Sequence, residues 1–142
     1  MTSGSLMFHN ALTVADLEQT RAFYGELLGC REGKATDKRI NFEFFGHHLV
    51  THLASPEIVE LQRQATAGRH VGWRHFGAIL DWPEWEALAE RLKAKGAPFL
   101  IEPQVRYAGE PREEALLFML DPAGNGAEFK TYRDVTFAFE NG

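Results

Sequence analysis

The sequence predicts an α+β fold of two β-α-β-β-β halves, and three observations predict it. The chain has 142 residues, 44% hydrophobic and 25% charged, the make-up of one ordinary globular domain with a sizeable core. An order of strand, helix, helix-closing glycine and further strands occurs twice: His9 is followed 20 residues later by Gly29, and His75 is followed 21 residues later by Gly96. Repetition at this spacing means two supersecondary units that bury a shared core. The third observation is the stretch 116–132, LLFMLDPAGNGAEFKTY, which reads as a buried strand, a tight turn and a second strand that carries a charge inward.

Each element follows from local chemistry. Residues 6–14 (LMFHNALTV) read as the opening strand, with Phe8, Asn10 and Leu12 on one face and His9, Ala11 and Thr13 on the other. Asp16 is the expected N-cap of a helix with Leu17, Ala22, Phe23, Leu27 and Leu28 at helical spacing, and Gly29 closes it. Residues 31–37 are polar and read as loop or a short irregular strand. Residues 40–45 and 48–53 form a hairpin about Gly46-His47. The polar stretch 54–72, with Gly68 and Gly72, contains a short helix over 56–67. This divides the chain into a first module (7–55), a connector (56–72) and a second module (73–133).

The second module opens with a strand over 74–81 (RHFGAILD). Residues 82–95 (WPEWEALAERLKAK) form a helix with Pro83 in its first turn, where a missing N–H costs little. Its buried stripe is Trp85, Leu88, Ala89 and Leu92, and Trp73, Trp82 and Trp85 anchor it. Gly96 closes it. A strand follows over 97–101, then a polar connection over 105–114, then the apolar strand 116–120. Asp121-Pro122-Ala123-Gly124-Asn125-Gly126 supplies turn chemistry. After it, period two puts Glu128, Lys130 and Tyr132 on one face and Ala127, Phe129 and Thr131 on the other.

Charge excludes some functions. A net charge of −5, with no run of Lys and Arg, argues against nucleic acid or an anionic membrane surface as partner. No stretch approaches the roughly 18 apolar residues of a membrane helix. The single cysteine, Cys30, excludes an internal disulfide and a cysteine-rich zinc site, and fits a cytoplasmic location. Residues 1–5 lack the parts of a signal peptide and read as a short lead-in or a cloning remnant.

The repeat assembles a candidate constellation. Taken alone, Glu128 reads as a carboxylate facing water. The repeat pairs it with the last strand of the first module, where His48, Val50 and His52 share a face, and pairs His9 with His75. First and last strands brought to one cleft give the set His9, His52, His75 and Glu128, whose imidazole and carboxylate donors suit iron, zinc, nickel, manganese or cobalt. His47 and His48, beside the hairpin turn, read as solvated, and His70 as incidental. Phe118 reads as core or pocket wall, while Arg106, Lys130 and Arg39 are candidates to grip an anionic substrate.

The opening FHNALTVADLEQTRAFYGELLG, the second opening HFGAIL and the closing FMLDPAGNGAEFK resemble the vicinal oxygen chelate superfamily, the glyoxalase, bleomycin-resistance and extradiol dioxygenase group. The resemblance spans roughly residues 7–133. It implies two βαβββ modules forming a partly open mixed β-barrel around a divalent metal, with metal ligands His9, His52, His75 and Glu128. It also implies a small-molecule substrate, with Arg106, Lys130 and Phe118 as candidate contacts, and a possible homodimer. His9, His75 and Glu128 match the His-His-Glu triad of extradiol dioxygenases, although Phe118 stands where those enzymes carry a tyrosine. Glyoxalase I proteins place a carboxylate at the position matched by His52. The expected activity is therefore a metal-dependent enzyme that chelates vicinal oxygens, dioxygenase-like, with His52 and Glu128 as acid–base residues. The alternatives are a glyoxalase-like lyase or isomerase, and a non-catalytic drug-binding resistance protein.

Overall fold

A computed structural model describes residues 6–67 and 73–140. The sequence readings for residues 1–5 and for Gly68, His70 and Gly72 lie outside the described residues. The described strands form two four-stranded mixed sheets rather than a closed barrel. The chain divides into two compact units, one of residues 6–65 with Asp121–Asn125 and the other of the remaining described residues.

In the first unit, strands β1 (His9–Val14), β2 (Arg31–Ala35), β3 (Arg39–Phe44) and β4 (His47–Leu53) lie in the order β1-β4-β3-β2, with β1 parallel to β4. Strand alternation follows period two except at Val50, which is buried on the face it shares with His48 and His52. Ile40, Phe42, Phe44, Leu49 and Thr51 are buried, while Arg39, Asn41, Glu43, His48 and His52 on the opposite face are half-buried or exposed. Asp16 caps the first helix by accepting from the Gln19 N–H at 2.8 Å. That helix is α only over α1 (Leu17–Thr20). From Arg21–Leu27 it is a π-helix, ending with the Leu28 N–H on the Phe23 carbonyl at 3.0 Å. Gly29, at φ 78°, then turns the chain as expected.

Helix α2 (Pro56–Thr66) fulfils the helix expected in the connector, and it packs into this first unit. Val59 is buried in a cluster with Val14 and Ala123. Gln62 Nε2 donates to the carbonyl of Ala123 at 2.7 Å. The turn Asp121–Asn125 thus belongs with the first unit, and its organiser is the buried Asp121 carboxylate. That carboxylate accepts from the Tyr24 hydroxyl (2.7 Å), the Ala123 and Asn125 backbone N–H groups (2.9 and 2.8 Å) and Asn125 Nδ2 (2.8 Å). Burial pushes its pKa above the ordinary 3.8, against the lowering effect of those donors.

The second unit repeats the plan: β5 (Phe76–Ile79), β6 (Phe99–Arg106), β7 (Glu114–Leu120) and β8 (Gly126–Tyr132) lie in the order β5-β8-β7-β6, with β5 parallel to β8. Strand β5 is shorter than the sequence suggests, so His75 stands just before it. Strand β6 runs on through Arg106, into the stretch from 105 read as a polar connection, because Gln104, Val105 and Arg106 pair with Leu116, Ala115 and Glu114 of β7 past two register shifts. Helix α3 (Trp82–Ala94) is capped by Asp81 and buries the expected stripe of Trp85, Leu88, Ala89 and Leu92. Trp85 Nε1 donates to the Phe129 carbonyl at 2.9 Å, which ties α3 to the face of β8 that carries Ala127, Phe129 and Thr131. Among the described residues, no helix is long and apolar enough to cross a membrane.

Candidate functional site

The opposite face of β8 carries Glu128, Lys130 and Tyr132, as predicted. Parallel pairing sets Gly77 beside Glu128, and antiparallel pairing sets Phe118 on its other side. Both neighbours are sterically determined. A Cβ on Gly77 would lie 1.6 Å from the Glu128 carbonyl oxygen, a separation no real side chain adopts. A Cβ on Gly126 would lie 2.9 Å from His75 Cβ and 3.0 Å from Phe118 Cζ. Glycine at both positions lets β5, the chain before it and β8 close on one another, which brings His75 over Glu128.

The pair so formed has a definite chemistry. His75 Nε2 lies 3.6 Å from Glu128 Oε1, with side chains 27% and 17% exposed. His75 Nδ1 lies 2.7 Å from the Trp73 carbonyl, an acceptor, so the ring donates from Nδ1, and the neutral ring has its lone pair on Nε2. An imidazole lone pair and a carboxylate oxygen therefore face each other, beyond hydrogen-bond distance. Two donors bound to one ion at about 2.1 Å with a tetrahedral angle stand about 3.4 Å apart, so this pair fits a shared divalent metal. Phe118, 1% exposed, packs edge-on against the His75 ring with centroids 5.0 Å apart. The sequence reading makes Trp73 an anchor of α3; in the structure its backbone carbonyl orients the His75 ring.

Lys130 follows Glu128 on the same face. Burial lowers its pKa, but the Tyr132 hydroxyl and the charges of Glu128 and Glu114 outweigh this and raise it above the ordinary 10.5, favouring the cation. Its ammonium lies 5.3 Å from the Tyr132 ring centroid. Arg106 is exposed at the end of β6, opposite Glu114.

In the first unit the structure brings a different histidine to His9 from the one expected. His9 is in register with His48, and their Nδ1 atoms are 2.7 Å apart. His48 Nε2 lies 2.7 Å from Asn41 Oδ1, and Asn41 Nδ2 donates to the Lys34 carbonyl at 2.8 Å. His47 Nδ1 accepts from the Phe8 N–H at 3.0 Å. His47 is exposed, as the sequence reading has it, whereas His48 is half-buried and engaged through both ring nitrogens. His52 is exposed, in register with Thr13 on one side and Arg39 on the other. Counting from the two aligned histidines, Glu128 stands beside the second residue after His75, and Val50 stands beside the second residue after His9. By strand register the counterpart of Glu128 is Val50.

A cavity of about 460 Å³ adjoins this cluster, lined by Met7, Arg31, Asn41, Glu43, His47 and His48 among others. Cys30 is buried, and burial, with the Glu43 charge, pushes its thiol up to about 12, which removes it as a nucleophile. Among the described residues, no group of three or more His, Cys, Asp and Glu side chains is gathered as a metal cluster; His9 is paired with His48, and His75 with Glu128.

The fold has close counterparts. A crystal structure of a glyoxalase/bleomycin resistance protein/dioxygenase from Alicyclobacillus acidocaldarius is 29% identical, covers 98% of this chain and 100% of its own, and has a TM-score of 0.79. A glyoxalase/dioxygenase from Nostoc punctiforme is 17% identical over 94% of this chain and 97% of its own, with a TM-score of 0.65. The fosfomycin resistance protein FosX from Listeria monocytogenes is 20% identical over 92% and 94%, with a TM-score of 0.60. At these two lower identities the likeness is one of fold alone. No curated protein matches the sequence. The model of one family matches residues 6–129, both modules included, and the chain accordingly belongs to the glyoxalase/bleomycin resistance protein/dioxygenase superfamily.

Proposed function

We propose that this chain is a small divalent-metal-dependent enzyme that chelates neighbouring oxygens of a small substrate, with His75 and Glu128 as a metal-holding pair and His9 as a metal-holding residue of the first module. The observation that carries the reading is His75 Nε2 facing Glu128 Oε1 at 3.6 Å, with His75 Nδ1 engaged by the Trp73 carbonyl. A cation shared between two acceptors is what stabilises such a pair, and an imidazole with its far nitrogen held by a carbonyl is the usual posture of a metal-ligating histidine. His9 is given the same role because it is the counterpart of His75 at the start of the other module. A bound divalent ion would supply Lewis-acid polarisation and a template for two oxygens.

The chain's own residues then divide the work. Glu128 supplies the anionic donor, and Lys130, two residues on, offers a cation to an anionic oxygen of the substrate. Phe118 walls the site beneath His75 and excludes water from that side. Of the family's reactions, dioxygenase-like chemistry is favoured over glyoxalase-like isomerisation. The register supports this, because Val50 occupies the position where a second carboxylate would stand. His52, exposed beside Arg39 and Thr13, is left outside the centre.

The test is metal content of the purified chain with variants that keep the fold. His75→Ala and Glu128→Gln should each lose bound metal while circular dichroism is unchanged; full occupancy in both would reject the centre. With catechols and α-hydroxycarbonyls offered to the metal-loaded protein, oxygen uptake supports the dioxygenase-like reading. Isomerisation or lyase turnover without oxygen uptake would replace it with the glyoxalase-like one.

A further inference from the structure

We infer that His48 and Asn41 are positioning residues that fix the tautomer of His9, leaving its Nε2 free to bind a metal ion; the inference rests on the metal-holding role proposed for His9. Lys34 O can only accept, so Asn41 Nδ2 donates to it at 2.8 Å and Asn41 Oδ1 is left as an acceptor. His48 Nε2, 2.7 Å from that oxygen, must then be the protonated nitrogen. A neutral His48 with its proton on Nε2 has a lone pair on Nδ1. His9 Nδ1, 2.7 Å away, is therefore the donor in that contact, and the lone pair of His9 is on Nε2.

The ring geometry agrees. The His9 and His48 centroids are 4.9 Å apart with planes 17° from parallel. Rings stacked face to face with nitrogens 2.7 Å apart would have much closer centroids, so the two meet edge to edge in nearly one plane. That is the arrangement of an in-plane N–H···N hydrogen bond.

The relay is also built, not incidental. Parallel pairing puts His9 directly beside His48, and antiparallel pairing with β3 puts Asn41 two residues along from His48's own partner, Glu43. The His48 N–H on the Phe8 carbonyl (2.9 Å) and the Phe8 N–H on His47 Nδ1 (3.0 Å) hold the backbone on either side of the contact. His75 reaches the same tautomer by a shorter route, through the Trp73 carbonyl. The two module-opening histidines thus present the same nitrogen, one set by a carbonyl and the other by a three-residue relay.

The experiment uses the full chain, metal-free, with ¹⁵N-labelled histidine, and the His9 signals identified by their loss in His9→Asn. Imidazole nitrogen shifts should show His9 protonated on Nδ1 in the wild type. In His48→Phe and Asn41→Leu that signature should be lost or become mixed, while His48→Gln, whose amide oxygen can accept from His9, should restore it. Calorimetric titration with Zn²⁺ should show affinity falling roughly 10- to 100-fold in the first two variants, with recovery in His48→Gln. A purely structural role for His48 would leave the His9 nitrogen shifts unmoved. An Nε2–H signature for His9 in the wild type, or an unchanged signature and affinity in both His48→Phe and Asn41→Leu, would overturn the inference. Should the wild type show the Nδ1–H signature yet bind no Zn²⁺, the relay stands and the metal-holding reading of His9 falls.

Discussion

Single residues decide whether the pieces of this fold can meet. Gly77 is the sharpest case, since any Cβ there would collide with the Glu128 carbonyl. Gly77→Ala must push β5 away from β8, and we expect a loss of at least about 3 kcal/mol in urea unfolding, the upper part of the range for overpacking. A smaller loss would mean that the backbone yields where we take it to be fixed. Asp121 is the second case. Its raised folded pKa makes its ionised form a cost at neutral pH, so acidification through that value towards 3.8 adds stability from this group, the reverse of a salt-bridged aspartate. The Tyr24 hydroxyl is one of the donors that offset the cost. Tyr24→Phe should therefore lower stability by about 1.5–3 kcal/mol near pH 7, with a smaller loss near pH 4 where the carboxyl is more nearly neutral. Equal losses at both pH values would show that the carboxylate charge is irrelevant to the bond. None of this was legible beforehand: the sequence marks Asp121 as a turn residue, and only the folded chain shows Tyr24, 97 positions away, reaching it.

Elements were read from periodicity, and where periodicity is blind the reading missed. The stripe of α3 and the two faces of β8 follow directly from periods of 3.6 and 2. The π-helix at Arg21–Leu27 did not, because over seven residues a wider helix buries Phe23 and Tyr24 much as an α-helix would. The loop after β6 shows how an apparently plain polar connection is held. Glu113 accepts from the Gly109 N–H at 2.7 Å and from Arg133 Nε at 2.5 Å, and Arg133 lies 3.6 Å over the Trp82 ring. The Gly109 backbone first, then Arg133, draw the Glu113 carboxyl below its ordinary 4.5. A depressed carboxyl contributes stability that is fully present above 4.5 and is lost as pH falls through the lower folded value. Hydrogen exchange should show Gly109 protected at pH 5 and losing protection only below pH 4.5, and Glu113→Gln should abolish that pH dependence. Protection that is constant from pH 5 to pH 3 would place the loop's order elsewhere.

For the molecule as a whole, the duplicated plan was legible because both modules spell it with the same punctuation, a capped helix and a glycine at φ 78° or 68° behind each opening histidine. The site was legible in part. Alternation puts His48, Val50 and His52 on one face without saying which of them stands beside His9, and only the parallel register answers that. A sequence also cannot show which ring nitrogen carries a proton, since Trp73, Asn41 and Lys34 act on the histidines through contacts that fold and turn geometry create. The central claim is that His75 and Glu128 hold a divalent ion between them. Its most direct test is an anomalous difference map from crystals of the chain grown with Mn²⁺ or Co²⁺. We predict a strong peak at bonding distance from both His75 Nε2 and Glu128 Oε1. A peak that touches neither His75 nor Glu128, or no peak at saturating metal in crystals where both side chains are ordered, would contradict it.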